Sequence, residues 1–155
     1  MLTKPFQKIL VGIDGSDKSL EAADYSITLA KNMGAQLIIL NVLETEPWYY
    51  GEKAYEWASP EELDKVYESE KTKIQKILDD IKQKAKLASI LSKNEILMIP
   101  RTEGTVKHIV KYAEDKEIDL IVVGTRGRTG IKKILLGSVA SGVVTYAHCP
   151  VIVVK

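Results

Sequence analysis

Five short apolar runs punctuate the chain: Ile9 to Ile13, Leu37 to Val42, Glu95 to Ile99, Leu120 to Val123 and Val151 to Val154. Each is near-continuous and rich in Ile, Val or Leu, and none alternates polar with apolar. That is the pattern of strands buried on both faces. An amphipathic segment long enough for a crossover helix separates each run from the next. Strand, helix, strand, repeated, predicts an α/β fold: a single-domain, open, five-stranded parallel sheet. Right-handed crossovers place helices on both of its faces.

The intervening helices have readable ends. The first is expected over Asp17 to Met33, stopping at Gly34, a good residue for the left-handed position after a helix. The second opens at Ser59-Pro60-Glu61-Glu62, where Ser59 suits the N-cap, Pro60 the first helical position, and Glu62 completes a capping box. Its inward stripe reads Leu63, Val66, Ile74, Ile77, Ile81, Ala85 and Ala88. Pairs such as Glu61 with Lys65 and Asp80 with Lys84 fit a solvated outer face. The third is expected over Thr105 to Lys116, with Val106, Ile109, Val110 and Ala113 facing inward. The fourth begins near Ser138 and ends before Pro150.

The connection from about 44 to 58 stands apart. It holds Trp48, Tyr49, Tyr50, Tyr55 and Trp57, half of the ten aromatic residues. Most α/β connections are about 2–6 residues long. The segment fits either a cover packed over the sheet edge or a lid or partner surface.

Composition narrows the classes. The chain has 155 residues, 28% of them charged, with 22 Lys plus Arg against 21 Asp plus Glu and a net charge of +1. This length fits one domain, and near-neutrality argues against a strongly basic nucleic-acid binder. Cys149 stands alone, so no intrachain disulfide forms, in keeping with a reducing compartment. No apolar run approaches the roughly 20 residues that span a bilayer. The expectation is a cytoplasmic protein without membrane association.

Chemistry concentrates in one segment, Val122-Val123-Gly124-Thr125-Arg126-Gly127-Arg128-Thr129-Gly130, followed by Gly137-Ser138. Three glycines at a spacing of three follow the fourth strand, and a Gly-Ser pair then opens a helix. Glycines let backbone N–H groups approach a phosphate without a Cβ in the way. A helix start at Ser138 leaves the N–H groups of Val139 and Ala140 without helical partners and adds a positive dipole end. Arg126, Arg128, Lys132 and Lys133 add positive charge. The sum is a polyphosphate site at the C-terminal ends of the strands. The same glycines also fit a plain turn with solvated arginines. Neither GxxxxGK[ST] nor a GxGxxG after the first strand is present.

The arrangement Gly124, two residues, Gly127, nine residues, Gly137, Ser138 resembles the ATP-binding branch of the universal stress protein family. The resemblance extends over nearly the whole chain. Lys8 to Ser16 looks like that family's first strand and acidic turn, Asn41-Val42 like the end of its second strand, and Cys149 to Val154 like its final strand. The resemblance implies a Rossmann-like sheet of the adenine nucleotide alpha hydrolase type and a nucleotide-responsive stress module. It places Asp14 and the backbone of Val42 at the adenine end, with Gly12 and Ile13 lining that pocket. Gly124 and Gly127 would meet ribose and phosphates, with Arg128 beside them. Gly137, Ser138 and Val139 would hold the terminal phosphates. The implied ligand is ATP with Mg²⁺ or Mn²⁺, and the implied assembly is a homodimer through Val151 to Val154.

Charge independently separates the two ends of such a site. A carboxylate set directly against phosphates would repel them, so Asp14 belongs at the nucleoside end unless a metal intervenes. Asp14 also fits a turn or helix-start role. No catalytic residue stands out, since nothing in the motif would orient an attacking water. A slow or partner-dependent ATPase, and a dimeric interaction protein with incidental nucleotide, are the competing readings. His108, His148 and Cys149 make no zinc spacing. The last two are neighbours that extended chain points to opposite faces, so Cys149 is expected to be buried and inert.

Overall fold

The computed structural model describes residues 5–45, 59–125 and 136–155. In chain order the elements are β1 (Lys8–Gly12), α1 (Asp17–Met33), β2 (Gln36–Thr45), α2 (Pro60–Leu87) and β3 (Ser92–Pro100). After a 3₁₀ turn at Arg101–Glu103 come α3 (Thr105–Asp115), β4 (Leu120–Gly124), α4 (Ser138–Tyr146) and β5 (Val151–Val154). The strands form one five-stranded sheet in the order β3-β2-β1-β4-β5, and every pairing is parallel. The chain winds outward from β1 to β3, then returns to the other side of β1 for β4 and β5. The strand order therefore reverses between β1 and β4, the place where an open α/β sheet parts its loops and leaves a crevice.

Two apolar layers hold the sheet. Ile9, Val11, Leu37 and Ile39 alternate onto the face covered by α1 and α2, where Ala22, Leu78 and Ile81 are buried against them. Leu10, Ile38, Leu40 and Ile121 alternate onto the opposite face, against Ile109, Ala113, Ala140 and Val143. The near-continuous apolar runs thus mark strands covered on both sides, as expected for β1, β2 and β4. β3 and β5 depart from that expectation. They are edge strands, and most of their residues are only half-buried. β3 also begins at Ser92, earlier than its apolar stretch, because Ser92 to Pro100 pairs in register with Leu37 to Thr45.

Helix ends follow their sequence signals. Gly34 closes α1 with φ 65°, and its N–H returns to the Ala30 carbonyl. Ser59 and Glu62 form the capping box that opens α2. The hydrogen bonds from Ser59 hold the Glu62 carboxyl below its ordinary pKa. One helix position is corrected. Tyr67, not Val66, faces the core from α2, and Val66 is 57% exposed. At about 100° per residue, position 67 lies on the side of Leu63 toward Ile74 and Leu78, whereas position 66 swings away. Lys84 likewise pairs with Asp24 on α1 at 3.0 Å, not with Asp80 on its own helix. On α3, Ile109 and Ala113 are buried, as expected, and Tyr112 joins them. Burial, reinforced by a hydrogen bond to Glu95, pushes the Tyr112 phenol up to about 12. α3 and α4 cross closely at Gly142, where a Cβ would stand 2.7 Å from Val106 Cγ2.

Candidate functional site

The crevice between the ends of β1 and β4 contains a cavity of about 140 Å³. Its β1 side is built by a tight turn. Ile13 still donates to the Leu40 carbonyl at 2.8 Å, so the chain leaves the sheet only at Asp14. Asp14 Oδ1 accepts the Ser16 N–H at 2.9 Å, and Gly15 follows with φ 83°, a conformation that glycine adopts without strain. The Ser16 hydroxyl then accepts the Ser19 N–H at 3.2 Å and caps α1. Asp14 therefore has a turn-forming role while its residue also lines the cavity. Buried Asn41 braces the turn from β2 by donating to the Ile13 carbonyl at 2.8 Å.

The β4 side is clipped to both neighbours. The Thr125 N–H donates to the Val154 carbonyl at 2.8 Å, and the Thr125 carbonyl accepts the Gly137 N–H at 2.7 Å. The second bond brings the start of α4 against the end of β4. The helix begins at Ser138, as expected, and Gly137 occupies the N-cap with φ −66° and ψ 162°. The first bond within α4 runs from the Ser141 N–H to the Gly137 carbonyl. The N–H groups of Ser138, Val139 and Ala140 consequently have no carbonyl within the helix to meet. All three residues line the cavity.

Gly124 has a reason of its own to be glycine. A Cβ there would lie 2.8 Å from both the carbonyl carbon and oxygen of Lys18, so the close approach it allows is to α1. At Gly12 a Cβ would meet only Val123 Cγ1 at 3.5 Å, an ordinary contact. The two glycines look alike in sequence and differ in what they permit.

Of the residues singled out in sequence, Gly12, Ile13, Asp14, Val42, Gly124, Gly137, Ser138 and Val139 all line this one cavity. Gly127 and Arg128 lie outside the described residues, as do Arg126 and most of the aromatic connection. The sequence reading missed the α3 wall, where Thr105 and Ile109 face the cavity together with Leu40 and Val123. Its signal was present: Gly104 before a helix, then Thr105 and Ile109 four residues apart on one face. Thr105 donates its hydroxyl proton to Glu44, which Arg101 also approaches at 3.9 Å. His108 sits behind this wall, with Nδ1 3.2 Å from the Gly104 carbonyl and Nε2 3.0 Å from Glu103.

Cys149 lies at the other end of the sheet, just before β5. It is half-buried, and burial, followed by the nearby Asp119 carboxylate, pushes its thiol above the ordinary value. Neighbouring His148 turns its Nε2 to the Ile118 carbonyl at 3.1 Å. A raised pKa reduces the thiolate fraction, which is the nucleophilic form. No described helix is long and apolar enough to cross a membrane.

Comparison with known proteins agrees with this architecture. The family model described as universal stress protein family matches residues 5–155. A universal stress protein of Methanocaldococcus jannaschii is 39% identical over 151 residues, covering 97% of this chain and 82% of the relative. The YxiE protein of Bacillus subtilis, also a universal stress protein, is 35% identical over 97% of this chain and 99% of its own. Among solved structures, universal stress protein UspA from Lactobacillus plantarum superposes with a TM-score of 0.83 at 26% identity, covering 99% of this chain and all (100%) of that one. A universal stress protein solved in complex with cAMP superposes with a TM-score of 0.69 at 26% identity, over 98% of each chain. By full-length sequence match and by fold, the chain belongs to the universal stress protein family.

Proposed function

We propose that the chain binds an adenine nucleotide, ATP with Mg²⁺ or Mn²⁺, in the crevice between β1 and β4, and acts as a nucleotide-responsive module in stress response. The observation that carries this reading is the meeting of two unlike surfaces in one cavity. Ser138, Val139 and Ala140, whose N–H groups have no partner within the helix, line it together with the apolar residues Leu40, Val42 and Ile109. The first suits phosphate oxygens and the second suits a heterocycle. The enclosed volume is smaller than the roughly 300–1,000 Å³ of a complete ligand pocket. A nucleotide would seat its base and sugar there and carry its outer phosphates past Gly137. A related structure holding cAMP supports the ligand class.

Asp14 and Glu44 set the orientation. Asp14 lines the cavity at the end of β1, and Glu44 lies near the end of β2, so the acidic groups belong to that side and the phosphates to α4. The donors at α4 suit the phosphate oxygens, and a divalent ion bridging those oxygens would offset their charge. Ser138 and Gly137 would hold the outer phosphates through the helix start. Arg128 and Gly127 belong to the same proposed subsite by the spacing of the motif.

Calorimetric titration of ligand-stripped protein with ATP, with and without Mg²⁺, tests the reading. The expected result is one ATP per chain. At a hundredfold excess over Kd, stability should rise by about 2.7 kcal/mol. No heat and no stabilisation at millimolar ATP would overturn it.

We also infer self-association through β5. This four-residue strand ends the sheet, offers one edge to β4 alone, and leaves Ile152 37% exposed. A short apolar edge strand is a template for pairing with a second copy. Light scattering at high micromolar protein should give the mass of a dimer, and a monomer mass would refute the pairing.

A further inference from the structure

β2 places a polar residue where its own pattern calls for an apolar one. Leu37 and Ile39 alternate onto the face covered by α1 and α2, and Asn41 is next in that alternation. Asn41 is only 4% exposed. Its Nδ2 donates to the Ile13 carbonyl at 2.8 Å, while its buried Oδ1 meets no donor among the described residues. A stranded buried acceptor opposes folding, and a hydrocarbon side chain would not strand one. The bond made and the acceptor left over work against each other, so stability alone gives no reason for the amide.

The bond falls at the end of a ladder. β1 and β2 pair in parallel as far as Gly12 with Leu40, and the Ile13 N–H continues to the Leu40 carbonyl at 2.8 Å. In a parallel ladder the N–H and carbonyl of one residue reach the same neighbouring strand, so the Ile13 carbonyl would next accept the Val42 N–H. It takes the Asn41 side chain instead. Val42 itself lines the cavity. We propose that Asn41 is a positioning residue: its amide stands in for the last ladder bond, parts β1 from β2 at Ile13, and keeps the Val42 N–H out of the sheet as a free donor. Asn41 acts through Ile13 and Val42 and touches no ligand. Its effect on affinity rests on the nucleotide reading above, and its effect on the ladder does not.

The test is amide hydrogen exchange, followed by NMR on ligand-free protein, in wild type and Asn41→Leu. With the amide gone, the Val42 N–H should close onto the Ile13 carbonyl and exchange at least roughly tenfold more slowly. Asn41→Ala removes the same donor without adding volume to the core, and should slow Val42 in the same way. Both variants should bind ATP roughly three- to tenfold more weakly than wild type, the worth of one hydrogen bond. Val42 exchange that is unchanged in both variants, or exchange that speeds up across β1 and β2 together, overturns the ladder role and makes Asn41 merely structural. Slower Val42 exchange with undiminished ATP affinity overturns the positioning role. Wild-type protein that binds no ATP at millimolar concentration would sink the nucleotide reading and the affinity effect with it, and the exchange comparison would still decide the ladder.

Discussion

Ser138→Pro is expected to weaken ATP binding by roughly tenfold to a hundredfold while leaving the fold at full stability, the loss being that of one hydrogen bond to a charged group. The substitution is unusual in what it leaves alone. Ser138 is the first residue of α4, and the first bond inside that helix comes from Ser141. Proline at the first helical position removes an N–H that the helix does not use, and its fixed φ suits the helix. The residue before a proline must be extended, and Gly137 already is, at φ −66° and ψ 162°. What disappears is the Ser138 N–H and hydroxyl, from a residue that lines the cavity where the phosphates are proposed. Adenosine, which has no phosphate, serves as the control and should bind the variant as well as it binds wild type. Undiminished ATP affinity would remove the phosphates from α4. An equal loss of ATP and adenosine would mean that the cavity had deformed.

Gly124→Ala should destabilise the protein by about 2–3 kcal/mol in the complete absence of ligand. The added methyl meets backbone, Lys18 C and O at 2.8 Å, and backbone has no alternative rotamer into which to retreat. Either α1 lifts from β4 or β4 shifts within the sheet. For a chain of this size the thermal midpoint should fall by roughly 5–10 °C. Gly12→Ala is the matched control, because its methyl would meet Val123 only at van der Waals distance. Its loss should be far smaller. Urea unfolding of both variants decides the matter, and equal losses would show that the α1–β4 approach is not what demands glycine at position 124.

That contrast also shows where sequence reading works here and where it stops. β1, β2 and β4 were legible because double-sided burial writes itself as unbroken Ile, Leu and Val. The start of β3 was not, because Ser92 to Glu95 hydrogen-bond to β2 from the sheet edge and have no need of apolar side chains on both faces. Gly34, Ser59 and Glu62 were legible because capping is a local chemistry with fixed spacing. Val66 and Tyr67 were confused because both are apolar, and only the phase of the whole stripe separates them. At the cavity, residues of the glycine motif were visible and the α3 wall was not. Thr105 and Ile109 come to β1 and β4 through the winding of the sheet, and no short-range pattern records that meeting. Gly124 was read as room for a ligand, whereas its nearest neighbour is Lys18 of α1, distant in sequence.

Thr125 uses both of its backbone groups, the N–H on Val154 and the carbonyl on Gly137. The stretch of chain that leaves at Thr125 therefore returns to within one hydrogen bond of its departure point. Both of its ends belong to the sheet and to α4, whatever lies between. Both anchoring bonds run from backbone to backbone, so neither dictates which side chains stand at positions 126, 127 and 128. Ligand preference in this region is free to diverge while the five strands stay as they are.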